Sequence, residues 1–132
     1  MNVPLIVAGS LAVIGAAIHG VAGEVLVVRR LSPEVLPSSP FGGPGMTKAM
    51  IRATWHITTI AFLTVGSALV LSGSVLHGDI ARGIGLVAAG ASTGFAAVAM
   101  GGALVQGPRS LLNHPGPVVL TAVAVLAWSG IA

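Results

Sequence analysis

Length, composition and charge place most of this chain in lipid. Its 132 residues are 55% hydrophobic and only 7% charged, whereas a soluble domain of this size carries several times more charge. The net charge is +3, but so few cations, scattered over loops, form no basic stripe that tracks phosphates, which excludes a nucleic-acid-binding protein. The lack of cysteine excludes disulfide and thiolate chemistry.

Four apolar segments predict four membrane-spanning helices. A bilayer core about 30 Å thick needs roughly 20 apolar residues in a helix, and backbone in lipid must satisfy its hydrogen bonds internally. We therefore expect an all-α fold, an antiparallel bundle of four transmembrane helices in one membrane domain over residues 1–132. The predicted spans are 3–28, 47–74, 80–106 and 117–132. We interpret the first as a span and not a cleaved signal, because no Lys or Arg precedes it.

The first span carries two ionisable residues at different depths. His19 lies roughly 14 Å inside the membrane edge, and Glu24 lies about one turn inside it. Such side chains are costly in a lipid span unless they face protein or water, so we expect both to face the bundle. Ala12, Ala16 and Gly20, at four-residue spacing, predict the face on which another helix packs.

The first connection, residues 31–46, is rich in proline and glycine. Neither a lasting helix nor a paired strand is expected there. We interpret it as a cytoplasmic loop, either a plain surface connection or a lid over that side of the bundle. The second helix is expected to open at Thr47, whose hydroxyl can cap it.

The polar residues of the second span match the first in depth. Arg52 lies about one turn inside the membrane edge and His56 lies deeper, as Glu24 and His19 do on the antiparallel neighbour. Since short connections place sequential helices side by side, we predict that Glu24 pairs with Arg52 and that His19 faces His56. Three further residues are possible members of a second shell around the imidazoles: Trp55, Thr59 and His114. The threonine has a second interpretation, bonding to its own helix backbone.

Features of the later spans predict packing and anchoring. Asp79 is placed to cap the third helix, and Trp128 to anchor the last helix at the membrane interface. Gly90 and Gly94 form a small-xxx-small strip, which packs either within the protomer or against a second chain. The expected partners are therefore the lipid bilayer and either a homo-oligomer or a partner membrane subunit.

Basic residues predict the orientation. Four of them flank the first connection, one lies at the second and one in the third, namely Arg29, Arg30, Lys48 and Arg52, then Arg82, then Arg109. Because cytoplasmic loops retain Lys and Arg, we expect the first and third loops in the cytoplasm and both termini on the non-cytoplasmic side. The predicted location is a cell membrane of the bacterial inner-membrane type, with the cations near anionic lipid head groups.

The first functional hypothesis is a haem or metal site with His19 and His56 as the cofactor-binding residues. Haem b needs only one or two imidazoles from facing helices in an apolar bundle, and Arg52 or Arg29 is available for a propionate. A mononuclear metal site needs three or four ligands, so it would have to recruit His114. As a four-helix bundle, the arrangement resembles the membrane b-type cytochromes, which implies haem binding.

Two other functions stay open. In an accessory or assembly subunit of a larger complex, Glu24 and Arg52 would only hold helix register. In a small proton-coupled transporter, Glu24, His56 and His19 would relay protons. Length and a first-helix glutamate are similar to the small multidrug resistance transporters, but Glu24 lies near the membrane edge and the charge bias predicts a single orientation. No nucleophile–base pair, paired carboxylates or phosphate-binding glycine loop is found, so an enzyme is disfavoured.

Overall fold

The computed structural model describes residues 1–107 and 109–132, with only the backbone at position 112. In this part of the chain the fold is all-helical. The isolated bridge between Ser39 and Gly42 is the nearest approach to a strand pair. The helices are α1 (Val3–Leu26), α2 (Pro44–Ser74), α3 (Gly78–Val105), the short α4 (Ser110–Asn113) and α5 (Gly116–Ile131), with 3-10 turns at Val28–Arg30 and Pro33–Val35.

Three segments are long and apolar enough to cross a membrane. They are Val3–Arg30, which is α1 with the turn that follows it, and helices α2 and α3, with 28, 31 and 28 residues respectively. Helix α5 is apolar but has 16 residues, or about 24 Å at helical rise. Large apolar side chains cover the outside of the bundle, with Val87 75% and Val98 79% exposed. Such an apolar exterior suits lipid as the surrounding solvent.

The observed helix limits differ from the predicted ones by less than a turn, and two predicted caps are wrong. Helix α2 begins at Pro44 instead of Thr47, because proline fits a first helical turn, where its missing N–H would have no partner. The Thr47 hydroxyl donates instead to the Pro37 carbonyl at 2.7 Å, which ties the first connection to α2. Asp79 lies in the first turn of α3, where His77 holds the cap position without a side-chain cap bond.

The long helices pack as a four-membered ring. Helix α1 lies against α2 and α5, and α3 lies against the same two helices. The centre of the bundle is built largely from small side chains, which let the backbones approach closely. Trp128, the predicted anchor, donates from Nε1 to the Thr93 hydroxyl at 2.9 Å and so links α5 to α3. The buried core comprises Leu5, Ala8, Leu69, Ala88, Ala89, Val123 and Ala127.

The glycine strip of α3 faces away from the bundle. A Cβ added at Gly90 or Gly94 would meet nothing within 4 Å among the described residues. The sequence left two packing partners open for this strip, the protomer itself or a second chain. The described helices of the protomer do not cover it.

Candidate functional site

The polar residues of the membrane helices gather along the seam between α1 and α2. Two glycines of α1 lie against large side chains of α2 here. A Cβ at Gly20 would lie 2.8 Å from Thr59 Cγ2, and one at Gly23 would overlap Trp55 Cζ2. Because glycine has no side chain, these two positions leave the space that Thr59 and Trp55 occupy. Both α2 residues therefore contact the α1 backbone directly.

His19 is held from three sides. Its Nδ1 lies 2.9 Å from the Thr59 hydroxyl, and its ring stacks on Trp55 with centroids 4.3 Å apart and planes 6° apart. The edge of Phe62 completes the contact at 5.5 Å. Trp55 is itself fixed, because its Nε1 donates to the His19 carbonyl at 3.0 Å. The position and plane of the imidazole are thus set by the neighbouring helix.

The hydroxyl of Thr59 assigns the tautomer of His19. This hydroxyl lies 3.1 Å from the Trp55 carbonyl, to which it donates its single proton. We therefore assign the tautomer in which His19 donates from Nδ1 to this hydroxyl and Nε2 carries the lone pair. Among the described residues, Nε2 has no hydrogen-bond partner. Thr59 therefore bonds its own helix backbone and also supports the imidazole of His19, so the two roles predicted for it occur together.

His19 lines an open groove of about 560 Å³ between the two helices and the first connection. Its size falls within the range of small-molecule sites, roughly 300–1,000 Å³. Apart from the histidine, the side chains that line it are apolar or carry hydroxyl groups, so none brings a fixed charge. The lining residues are His19, Ser39, Thr47, Met50, Ile51, Thr54, Trp55 and Thr58.

Glu24 is the centre of a second group of contacts. Its side chain is only 8% exposed, and Arg52 Nη2 lies 2.8 Å from Oε1; the structure brings this predicted pair together. Arg29 Nε also lies 3.4 Å from Oε1, and His56 Nε2 lies 3.3 Å from Oε2. The His56 contact is not a hydrogen bond, and Oε2 has no hydrogen-bond partner in the described part of the chain.

Sequence reasoning missed Arg29 as a partner of Glu24. Helix α1 ends at Leu26, and the 3-10 turn Val28–Arg30 follows at once. This tighter turn brings a side chain five positions along the chain back onto the carboxylate. Residues five apart are not neighbours on a helix surface, so helical spacing does not predict this pair. The signal that could have indicated it is the end of the apolar run just before two arginines, because a helix that ends there lets the chain turn back.

The two predicted cofactor ligands, His19 and His56, make separate contacts. His19 bonds Thr59 and stacks on Trp55, while His56 lies against Glu24. No hydrogen bond or ring stacking joins the two imidazoles among the described residues. Five residues of helix separate His19 and Glu24 by about 140°, so they lie on opposite flanks of the seam.

His114 has a local role in the structure. Its Nδ1 accepts the Gly116 N–H at 3.2 Å, which satisfies a backbone donor in the first turn of α5. It makes no hydrogen bond to the other histidines within the described residues. Nor do those residues contain a group of three or more His, Cys, Asp or Glu side chains that could hold a metal ion.

No protein-family model, no curated protein and no solved structure matches this chain. The basis on which a function can be inferred is therefore the chemistry of the His19 groove and of the Glu24 cluster, which consists of Glu24, Arg29, Arg52 and His56.

Proposed function

We propose that this protein is a four-span membrane protein that binds haem b in the groove beside His19. The observation that carries the proposal is the free Nε2 of His19, on an imidazole whose other nitrogen and whose ring plane are already held by α2. Histidines that ligate iron typically donate the second ring N–H to a fixed acceptor. The Thr59 hydroxyl supplies that acceptor.

The lining of the groove favours haem over a bare metal ion. A bare ion needs three or four protein ligands, and the described residues offer no such group. Haem supplies four equatorial nitrogens of its own, so a single imidazole can be sufficient. The apolar side chains of Met50, Ile51 and Trp55 suit a porphyrin face. Arg52 and Arg29, considered above for a propionate, both contact the Glu24 carboxylate in the structure.

The proposed membrane arrangement has α5 as a short fourth span and both termini on the non-cytoplasmic side of a bacterial inner-membrane-type bilayer. A cluster of cations at one end of the α1–α2 pair supports it. Lys48 Nζ donates to the Arg29 carbonyl at 3.3 Å, and Arg29 and Arg52 share one carboxylate oxygen. Such clusters remain in the cytoplasm when membrane proteins insert.

Absorption spectroscopy of the protein purified in mild detergent from haem-replete cells tests this function. We expect a Soret band at about one haem per chain, as one axial imidazole implies. His19→Ala should abolish the band. His77→Ala is the matched control, because His77 lies exposed at the start of α3, and it should leave the band unchanged.

The variant His56→Ala decides how many imidazoles take part. Because His56 lies against Glu24, we expect this variant to retain haem. Loss of the band in both His19→Ala and His56→Ala would instead establish the two-histidine site. A folded but colourless wild-type protein would overturn the haem proposal. Co-purification of a stoichiometric partner subunit would then favour the accessory role. A pH-dependent flux across the membrane would favour the transporter.

Thr59→Val should weaken haem binding while His19 is still present. Valine preserves the shape of the side chain but removes the acceptor for Nδ1–H, and loss of such a partner typically costs about 10–100-fold in affinity. Thr59→Ser keeps the hydroxyl and should restore binding. Titration of the haem-free protein with haemin, followed at the Soret band, measures both variants, and equal affinities for the two would contradict the tautomer assigned to His19.

A further inference from the structure

The Glu24 cluster exposes more positive charge than it neutralises. Arg29, Arg52 and His56 surround the buried carboxylate, and their side chains are 65%, 54% and 44% exposed. Lys48 is joined to the same group through its bond to the Arg29 carbonyl. Two permanent cations therefore face one carboxylate and a third is bonded beside them, so the surface of the cluster attracts anions.

Glu24 holds the two guanidinium groups side by side. Arg29 contacts Oε1 through Nε, and Arg52 contacts the same oxygen through Nη2. A guanidinium has five N–H donors in a fixed fork, so both arginines keep donors that are not directed at the carboxylate. Two adjacent guanidinium groups with free donors match the oxygens of one phosphate.

The surface next to the cations is apolar. Val21 lies three residues before Glu24 and is 70% exposed, and Ile60 lies four residues after His56 and is 62% exposed. Residues three or four apart share a helix face, so both apolar side chains lie one turn deeper in the membrane than Glu24 and His56. We call this surface, with the cations at its end, the cationic flank of the α1–α2 pair. On this flank the cations lie at the membrane edge and the apolar side chains lie deeper. A phospholipid in a bilayer has the same order, with its charged headgroup at the edge and its acyl chains deeper.

We propose that this flank is a binding site for an anionic phospholipid, independent of haem binding at His19. Arg29 and Arg52 hold the phosphate of the headgroup, and the acyl chains run along Val21 and Ile60. Glu24 is a positioning residue: its carboxylate keeps the two guanidinium groups together and does not touch the lipid.

Native mass spectrometry tests the site, with detergent-purified protein incubated with equal amounts of phosphatidylglycerol and phosphatidylcholine. We expect the wild type to retain phosphatidylglycerol selectively, and Arg29→Gln to bind it about tenfold more weakly, as the loss of a charged hydrogen bond implies. Arg30→Gln is the matched control, since it removes the same charge from the next position, outside the Glu24 cluster, and it should change binding by less than about twofold.

Glu24→Gln separates a built site from general attraction. Charge alone predicts tighter binding, because the variant is more positive; a positioning role predicts weaker binding, because the guanidinium groups separate. We expect the weaker binding. Tighter binding, equal losses in Arg29→Gln and Arg30→Gln, or displacement of the lipid by an equal concentration of inorganic phosphate would each overturn the proposal. The arginine pair provides the test even if Glu24→Gln fails to fold.

Discussion

Leucine in place of Gly9 is expected to lower the free energy of unfolding by about 3 kcal/mol or more, near the upper end of overpacking costs. The backbones of helices α1 and α2 approach closely at this point. A Cβ on Gly9 would lie 2.5 Å from the Gly66 carbonyl oxygen and 2.7 Å from the Val70 nitrogen. Both atoms are backbone, so no side-chain rotation relieves the clash, and α1 and α2 must move apart.

Gly15→Leu is the matched control for this prediction. Gly15 belongs to the same helix, but a Cβ there meets nothing within 4 Å in the part of the chain that the structure describes. The same substitution should therefore change stability by less than about 1 kcal/mol. Unfolding in mixed detergent with increasing dodecyl sulfate, followed by circular dichroism, measures both variants. Equal destabilisation would show that helix propensity or lipid exposure, and not the approach of α1 to α2, decides the effect.

The long helices were predictable because an apolar run of roughly 20 residues identifies a membrane-spanning helix. The predicted limits lie within a turn of those observed, and the errors come from local chemistry, such as Pro44 opening α2 three residues before Thr47. Partner choice was not predictable in the same way. The strip of Gly90 and Gly94 could be identified from spacing, but spacing carries no information on whether the facing helix belongs to the same chain. Only the packing shows that the strip faces outward.

The sequence predicted how deep in the membrane each polar residue of the candidate site lies, but not which way its side chain points. Matching the ends of antiparallel helices placed Glu24 beside Arg52, which the structure brings within 2.8 Å. The same matching placed His19 opposite His56, where the described contacts pair each imidazole with a different residue. Each residue turns a helix by about 100°, so an uncertainty of one position is enough to change a partner. The groove depends on Ser39 in an irregular connection, for which periodicity gives no position.

Arg52→Met should destabilise the protein more than Glu24→Gln. Without Arg52, the buried carboxylate keeps only longer contacts among the described residues, to His56 at 3.3 Å and to Arg29 at 3.4 Å. We expect a cost of about 2 kcal/mol, because a buried charged group loses its nearest partner while the other end of the pair lies near solvent. Without the charge of Glu24, by contrast, both arginines are more than half exposed and water can solvate them, so the cost should be about 1 kcal/mol or less.

The double variant makes this asymmetry a test of what the ion pair does. If the cost of Arg52→Met arises from an uncompensated buried carboxylate, then adding Glu24→Gln removes that carboxylate and should restore part of the lost stability. The double variant should therefore unfold at a higher dodecyl sulfate fraction than Arg52→Met alone. Additive losses would mean instead that Arg52 stabilises α2 through its own packing. Rescue assigns Glu24 a stability role that depends on its cations, and it explains why a carboxylate can lie buried at this end of the α1–α2 seam.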